Sequence, residues 1–187
     1  MDVLVNLYKD DKISFHIGEK YTYIDEKDHK LVTGDIICFD NVKVGTLQGY
    51  LIYSDSSFYD VCSDISDDMK LIADVVCDKD GSVKMTYRST VSFNSCVFVL
   101  IDINIDTKYR NLGIGSQVFK HLSKMIHIQF DVDTIILQAN AYEYFADEEI
   151  HQLNTARLVK FYKRCGFKHI SNNIMFCKHN ELNYSYK

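Results

Sequence analysis

The chain has 187 residues, of which 47% are hydrophobic and 25% are charged, a composition typical of a globular protein with a substantial core. Its formal net charge is −5 and its Lys and Arg residues form no dense cluster, which disfavours long nucleic acid as the main partner and suits a cationic one. No apolar run approaches the ~20 residues of a membrane span, and the start of the chain lacks the pattern of a signal peptide, so we expect a cytoplasmic protein without a membrane partner.

The N-terminal part of the chain, up to residue 53, is predicted to be β-rich. β-branched and aromatic residues recur there between Asp, Lys, Gly and Asn residues. A turn at "FDN" would join the last two strands into a hairpin. The predicted strands are "DVLVNLY", "KISFHIG", "KYTYI", "KLVTGDIICF" and "VKVGTLQGYLIY".

Helical periodicity replaces the strand pattern after this region. A single helix is predicted over 58–77, capped by Ser56 or Ser57 and ended by "CDKDG". Residues 82–95 fit either an irregular strand or a loop. The predicted buried face of the helix consists of Phe58, Val61, Cys62, Ile65, Met69, Ile72 and Val76. Its predicted solvated face carries Asp60, Asp64, Asp67 and Asp68.

The strand "CVFVLIDINI" is predicted to lie at the centre of a sheet, because its first half is apolar on both faces. A glycine turn follows, then a helix with an apolar stripe, and then the buried strand "DTIILQA". The segment "NTARLVKFYKRCGF" is predicted to be a helix that Asn154 caps and Gly166 ends. "FKHI" and "NIMFCKH" complete the chain as strands, so we expect α+β (mixed α/β) architecture around one twisted sheet.

The cysteines and histidines give no pattern of a metal site. No C-x-x-C, H-x-x-x-H or H-E-x-x-H sequence occurs, so we expect no bound metal. In a reducing compartment the cysteines are expected to be thiols that pack as small hydrophobic groups. They are Cys38, Cys62, Cys77, Cys96, Cys165 and Cys177.

The glycine turn "YRNLGIGSQVFKHL" places two of the chain's eight glycines one residue apart at the start of a helix. Helix N-termini carry N–H groups without internal partners and the positive end of the helix dipole, and bare glycines would let an anion approach them. The Rossmann fingerprint fails because its third glycine is replaced by Val118, and the P-loop fails because Gly115 is not followed by Lys.

These residues resemble the GNAT acyltransferases, which bind acetyl-coenzyme A. "RNLGIG" fits the family signature R/Q-x-x-G-x-G/A, and "VLIDINIDTKYRNLGIGSQVFKHL" resembles its central strand, pyrophosphate loop and following helix. "NTARLVKFYKRCGF" is similar to a second hallmark of the family. The resemblance implies a GNAT-like twisted mixed sheet flanked by helices, in one domain over 1–187. It covers 97–178, the acetyl-coenzyme A-binding part, and leaves 1–96 as a divergent acceptor-side part.

The resemblance also implies which residues bind acetyl-coenzyme A. The pantetheine arm would pair with the central strand, and the pyrophosphate would lie on the glycine turn; the alternative is a plain glycine-rich turn. Asn154 either touches the cofactor as well as capping the helix, or only caps it. The implied contacts are Ile103, Asn104, Ile105, Arg110, Asn111, Leu112, Gly113, Ile114, Gly115 and Ser116.

By the same resemblance, Tyr162 protonates the departing thiolate after a neutral primary amine attacks the thioester. Its helical spacing with Leu158, Phe161 and Cys165 alone favours a core tyrosine. The sequence does not identify the base that removes the amine proton. Asp102 is the first candidate, and Asp106 and Glu143 are others.

The region before the central strand departs from the family, because family members place helices between their first strand and the hairpin. The acceptor is therefore either a small amine or a protein amine. The sequence also leaves open whether the acyl group is longer than acetyl, and whether the protein is a monomer or a homodimer. Residues 140–153 form either a cover over a cationic substrate or a short extra helix with a solvated acidic face. The rival to an N-acetyltransferase is a non-catalytic acyl-coenzyme A-binding or protein-interaction module on the same scaffold.

Overall fold

The computed structural model describes residues 3–5, 13–19, 28–38, 42–88, 91, 93, 95–140 and 148–179. Their strands and helices follow the predicted order, except that two helices replace the one predicted over 58–77. The strands are β1 (Val3–Val5), β2 (Ile13–Glu19), β3 (His29–Cys38), β4 (Lys43–Ile52), β5 (Cys96–Ile105), β6 (Val132–Gln138), β7 (Lys168–Ser171) and β8 (Ile174–Lys178). The helices are α1 (Phe58–Ile65), α2 (Asp67–Val76), α3 (Ile114–Phe130) and α4 (Glu148–Arg164).

The strands form one mixed sheet in the order β1-β2-β3-β4-β5-β6-β8-β7. Only β5 and β6 pair in parallel among the described strands, and the other neighbours are antiparallel. The predicted mixed α/β class is confirmed. The predicted strand "KYTYI" and the turn "FDN" lie outside the described residues.

β5 occupies the central position that its apolar first half predicts. Phe98 and Leu100 belong to the core cluster that contains residues of α3, whereas Val97 and Val99 belong to the cluster that contains residues of α1 and α2. The sheet therefore separates two cores, and β5 contributes to both. Exposed residues appear in β5 only from Asp102 onward, where Asp102 and Asn104 alternate with half-buried isoleucines.

The single helix predicted over 58–77 is wrong, because the chain breaks at Ser66. Ser66 has extended backbone angles (φ −172°, ψ 164°), and its Oγ accepts a hydrogen bond of 3.2 Å from the backbone N–H of Met69. A serine that caps a new helix competes with helix continuation, although the apolar spacing runs through it. Ser57 caps α1, as one of the two expected residues, and accepts from the N–H of Asp60 at 3.3 Å. Cys77 and Val83 form one isolated bridge, and turns cover 85–88.

The predicted cap at Asn154 is also wrong. α4 already includes Glu148, so Asn154 lies inside the helix, where its Oδ1 accepts a hydrogen bond of 3.3 Å from Arg157. Acidic residues suit the positive end of a helix, and Glu148 and Glu149 occupy its first described turn. α4 ends before Gly166, as predicted.

Five cysteines are free thiols, in agreement with the expectation from their spacing: Cys62, Cys77, Cys96, Cys165 and Cys177. Burial raises the pKa of Cys77 to about 12, so this thiol stays protonated and packs as a hydrophobic group. Within the described ranges no helix is both long enough and apolar enough to cross a membrane. The same ranges contain no cluster of three His, Cys, Asp or Glu residues placed to hold a metal ion.

Candidate functional site

The central strand extends beyond its parallel neighbour and leaves one edge open. β5 pairs with β6 from Cys96 opposite Val132 to Leu100 opposite Leu137, and the pairing stops there. On its other side, β5 continues to pair with β4 as far as Ile105. Residues 101–105, which include the predicted contacts Ile103, Asn104 and Ile105, thus have an edge that no described strand covers.

A β-bulge at the start of this open edge changes the faces of the residues that follow. Gln48 lies opposite Asp102 and Gly49 lies opposite Leu100, so Ile101 is an extra residue in β5. Before the bulge, even-numbered residues face the α3 core; after it, Ile103 and Ile105 pack there instead. The bulge therefore turns Asp102 to the α1–α2 side of the sheet, beside its cross-strand partner Gln48.

The glycine turn lies where the open edge ends. The backbone N–H of Asp106 donates a hydrogen bond of 2.9 Å to Val44 and fastens the turn to β4. Asn111 and Gly113 have positive φ angles of 64° and 78°. In the part of the chain that the structure describes, no acceptor is matched to the backbone N–H groups of residues 111–116. The turn thus offers bare amides at the positive end of α3, as an anion site requires.

The two glycines of the turn are needed for different reasons. Gly113 precedes α3 with φ 78° and ψ 0°, a conformation that L side chains rarely adopt, and a Cβ added there meets no atom within 4 Å. A Cβ added at Gly115 would lie 3.0 Å from Cζ of Phe161 on α4. Gly115 therefore lets two helices approach closely, a packing role that the sequence interpretation did not anticipate.

Arg110 lies against the end of β5. Its Nε donates a hydrogen bond of 2.8 Å to the carbonyl oxygen of Ile105, and its Nη2 donates to Oδ1 of Asn104 at 3.4 Å. The guanidinium remains exposed. It joins the open edge to the glycine turn and places a permanent positive charge at their junction.

Tyr162 is buried in the core on the α3 side, with 6% of its surface exposed. Its ring contacts those of Phe119 and Phe167 edge-on, with centroids 5.4 and 5.6 Å apart. These contacts account for Tyr162 as a core residue, and the role of its hydroxyl stays a prediction. Asn154 is half-buried on the same helix.

The candidate bases differ in their surroundings. Asp102 is exposed by its surface area. Partial desolvation of its carboxyl raises its pKa, and a hydrogen bond from the backbone N–H of Ile103 opposes that effect. A raised pKa makes a carboxylate a better proton acceptor. Asp106 is exposed at the end of β5, and Glu143 lies outside the described residues.

A pocket of about 130 Å³ lies on the α1–α2 side of the sheet. Leu100 and Ile101 line it beside the bulge, and the junction of α1 and α2 forms the opposite wall. Asp68 also lines the pocket, and it is exposed, as the predicted solvated face requires. No pattern along the chain predicts this pocket, because its walls come from four separate segments.

No protein-family model matches this chain, and no curated protein matches it. Among solved structures, AtaTR bound with AcCoA is 13% identical, with 80% of this chain and 68% of that chain covered and a TM-score of 0.43. A KacTA–DNA complex is 13% identical, with 83% and 71% covered and a TM-score of 0.44. A putative acyl-CoA N-acyltransferase from Klebsiella pneumoniae is 11% identical, with 79% and 72% covered and a TM-score of 0.40. Likenesses of this size say nothing about the function of this chain.

Proposed function

We propose that this chain is a GNAT-type N-acetyltransferase that moves the acetyl group of acetyl-coenzyme A to a primary amine. One observation carries the proposal: the uncovered edge of β5 leads directly to a turn whose backbone N–H groups have no described acceptor. An extended amide chain that ends in a diphosphate matches this arrangement. The sequence signature "RNLGIG" occupies the same turn.

The proposed binding uses backbone groups almost entirely. Ile103, Asn104 and Ile105 would pair with the pantetheine amides, as a neighbouring strand would. The N–H groups from Asn111 to Ser116 and the charge of Arg110 would bind the pyrophosphate. Hydrogen bonds to charged groups are each worth about 1.5–3 kcal/mol. Several of them, less the cost of association, are consistent with a Kd on the order of 1 μM, about −8 kcal/mol.

The proposed reaction proceeds by direct attack. The amine nitrogen bonds to the thioester carbon, the carbon–sulfur bond breaks, and backbone N–H of β5 polarises the carbonyl oxygen. Asp102 would accept the amine proton, directly or through water, on the α1–α2 side of the bulge. Tyr162 would give a proton to the departing thiolate from the opposite side of the sheet.

A thermal-shift experiment tests the binding step. With ligand at about 100 times its Kd, stabilisation is about 2.7 kcal/mol, which corresponds to a Tm rise on the order of 5–10 °C for a chain of this size. Arg110→Gln should reduce the rise. Arg88→Gln is the matched control, because Nε of Arg88 also donates to a backbone carbonyl, that of Val83 at 3.0 Å. No shift at millimolar coenzyme A would contradict the proposal.

A second candidate is a non-catalytic acyl-coenzyme A-binding module on the same scaffold. The burial of Tyr162 among three phenylalanine rings favours it, because those contacts give the residue a structural reason to be present. The two candidates differ in thiol release. A screen of amines, polyamines and peptides that releases no coenzyme A, by a protein that acetyl-coenzyme A stabilises, would support the module.

A further inference from the structure

The pocket beside the bulge is lined by polar side chains, some of which make no hydrogen bond within the described residues. Gln48 of β4 and Gln138 of β6 flank β5 from either side, and both are half-buried. In the described part of the chain, neither side-chain amide has a hydrogen-bond partner. The carboxylate of Asp68 forms no ion pair with a described cationic residue. Ile101, which packs on the α1–α2 side, gives the floor an apolar surface. Partly buried amides are normally hydrogen-bonded, so this wall is suited to a polar ligand.

The pocket contains one carboxylate, and a second lies next to it. Asp68 lines the pocket, and Asp102 follows the pocket residue Ile101 on the same side of the sheet. In the proposed reaction Asp102 receives the proton of the attacking amine. Asp68 is left to attract a second positive charge elsewhere on the acceptor, in a protein whose net charge is −5.

We propose that this pocket takes a small aliphatic diamine, whose neutral amine reacts beside the bulge while its protonated second amine lies against Asp68. The proposal rests on the proposed function, since it names the acceptor of that reaction. The pocket volume of about 130 Å³ limits the size of the acceptor. A cavity of roughly 150 Å³ accommodates benzene. A four-carbon diamine has the same number of non-hydrogen atoms as benzene.

An amino acid is the main alternative, because α2 begins at the pocket and helix N-termini attract carboxylates. Two observations disfavour it. The N–H of Met69 is already taken by Ser66. Asp67 and Asp68 in the first turn of α2 offset its positive end and would repel another carboxylate.

Three four-carbon amines distinguish a diamine acceptor from an amino acid acceptor: diaminobutane, butylamine and aminobutanoate. We expect kcat/KM for acetyl transfer to be highest for diaminobutane, by roughly twofold to fivefold over butylamine, the size of one exposed ion pair. Asp68→Asn should remove that preference and leave butylamine unchanged. Asp67→Asn is the matched control, since Asp67 is the adjacent exposed acid and does not line the pocket. It should keep the preference.

Equal rates for diaminobutane and butylamine, or a preference for aminobutanoate, would overturn the proposal while leaving the acetyltransferase intact. So would loss of the preference in both Asp variants alike. If no amine is acetylated, the proposed function fails separately. Calorimetric titration of diaminobutane into the coenzyme A-bound protein then decides about the pocket: weaker binding to Asp68→Asn than to Asp67→Asn supports the diamine site, and equal or undetectable binding refutes it.

Discussion

Replacing Gly113 by alanine tests why the turn needs a glycine. With φ at 78°, an L side chain costs about 1–2 kcal/mol in the folded state. Lower freedom of the unfolded chain returns about 0.4–1 kcal/mol. Because an added Cβ meets nothing within 4 Å, no clash contributes. We therefore expect a net loss of about 1 kcal/mol and a Tm decrease of about 2–4 °C.

Urea denaturation with an unchanged m-value would measure this loss directly. Gly113→Asn is the matched control, since asparagine tolerates the left-handed region better than alanine does, and it should recover part of the stability. Gly113→Ala with wild-type stability would refute backbone strain as the reason for the glycine. An equal loss in Gly113→Ala and Gly113→Asn would also refute it, since the cause would then be side-chain bulk.

Four further outcomes follow from the structure. The steric cost of Gly115→Ala should exceed the gain in helix propensity by about 1 kcal/mol of unfolding free energy. Combined with Phe161→Leu, the loss measured by denaturation should be smaller than the sum of the two single losses, and additive losses would rule out a clash between the new Cβ and Phe161. Folding raises the pKa of Asp102, so its protonation stabilises the folded state at low pH, and this contribution is lost as pH rises through the folded pKa. Denaturation across the acidic range should show no such decline in Asp102→Asn. An identical decline in the variant would show that another group causes it. Tyr162→Phe should lower turnover and leave the coenzyme A thermal shift intact, whereas equal loss of both indicates packing. Ser66→Ala should cost about 1 kcal/mol as a lost cap; no change in the urea midpoint would contradict the break between α1 and α2.

The helix over 58–77 shows a limit of periodic patterns. Its apolar residues keep one phase through Ser66, so the periodicity carries no trace of the break. The break appears in the hydrogen bond between the Ser66 hydroxyl and the N–H of Met69. A serine inside a helical pattern is therefore ambiguous, because its side chain can end one helix and begin the next.

Asn154 shows a different limit. Asparagine is a common cap, and the apolar pattern becomes regular only after it. α4 nevertheless includes six preceding positions, from Glu148 to Leu153, that are mostly polar and exposed. A helix that extends past its packed face leaves no hydrophobic period to mark its beginning.

Local chemistry along the chain determined the order of strands and helices apart from the break at Ser66, the central place of β5 and the turn at Gly113. Each of these depends on neighbouring residues, through side-chain periodicity or through a φ angle that only certain residues adopt. Tertiary structure alone decided the bulge at Ile101, the end of β5–β6 pairing at Leu100 and the pocket beside Asp68. These features depend on strand register and on contacts between distant segments, and register is set when buried faces meet in three dimensions.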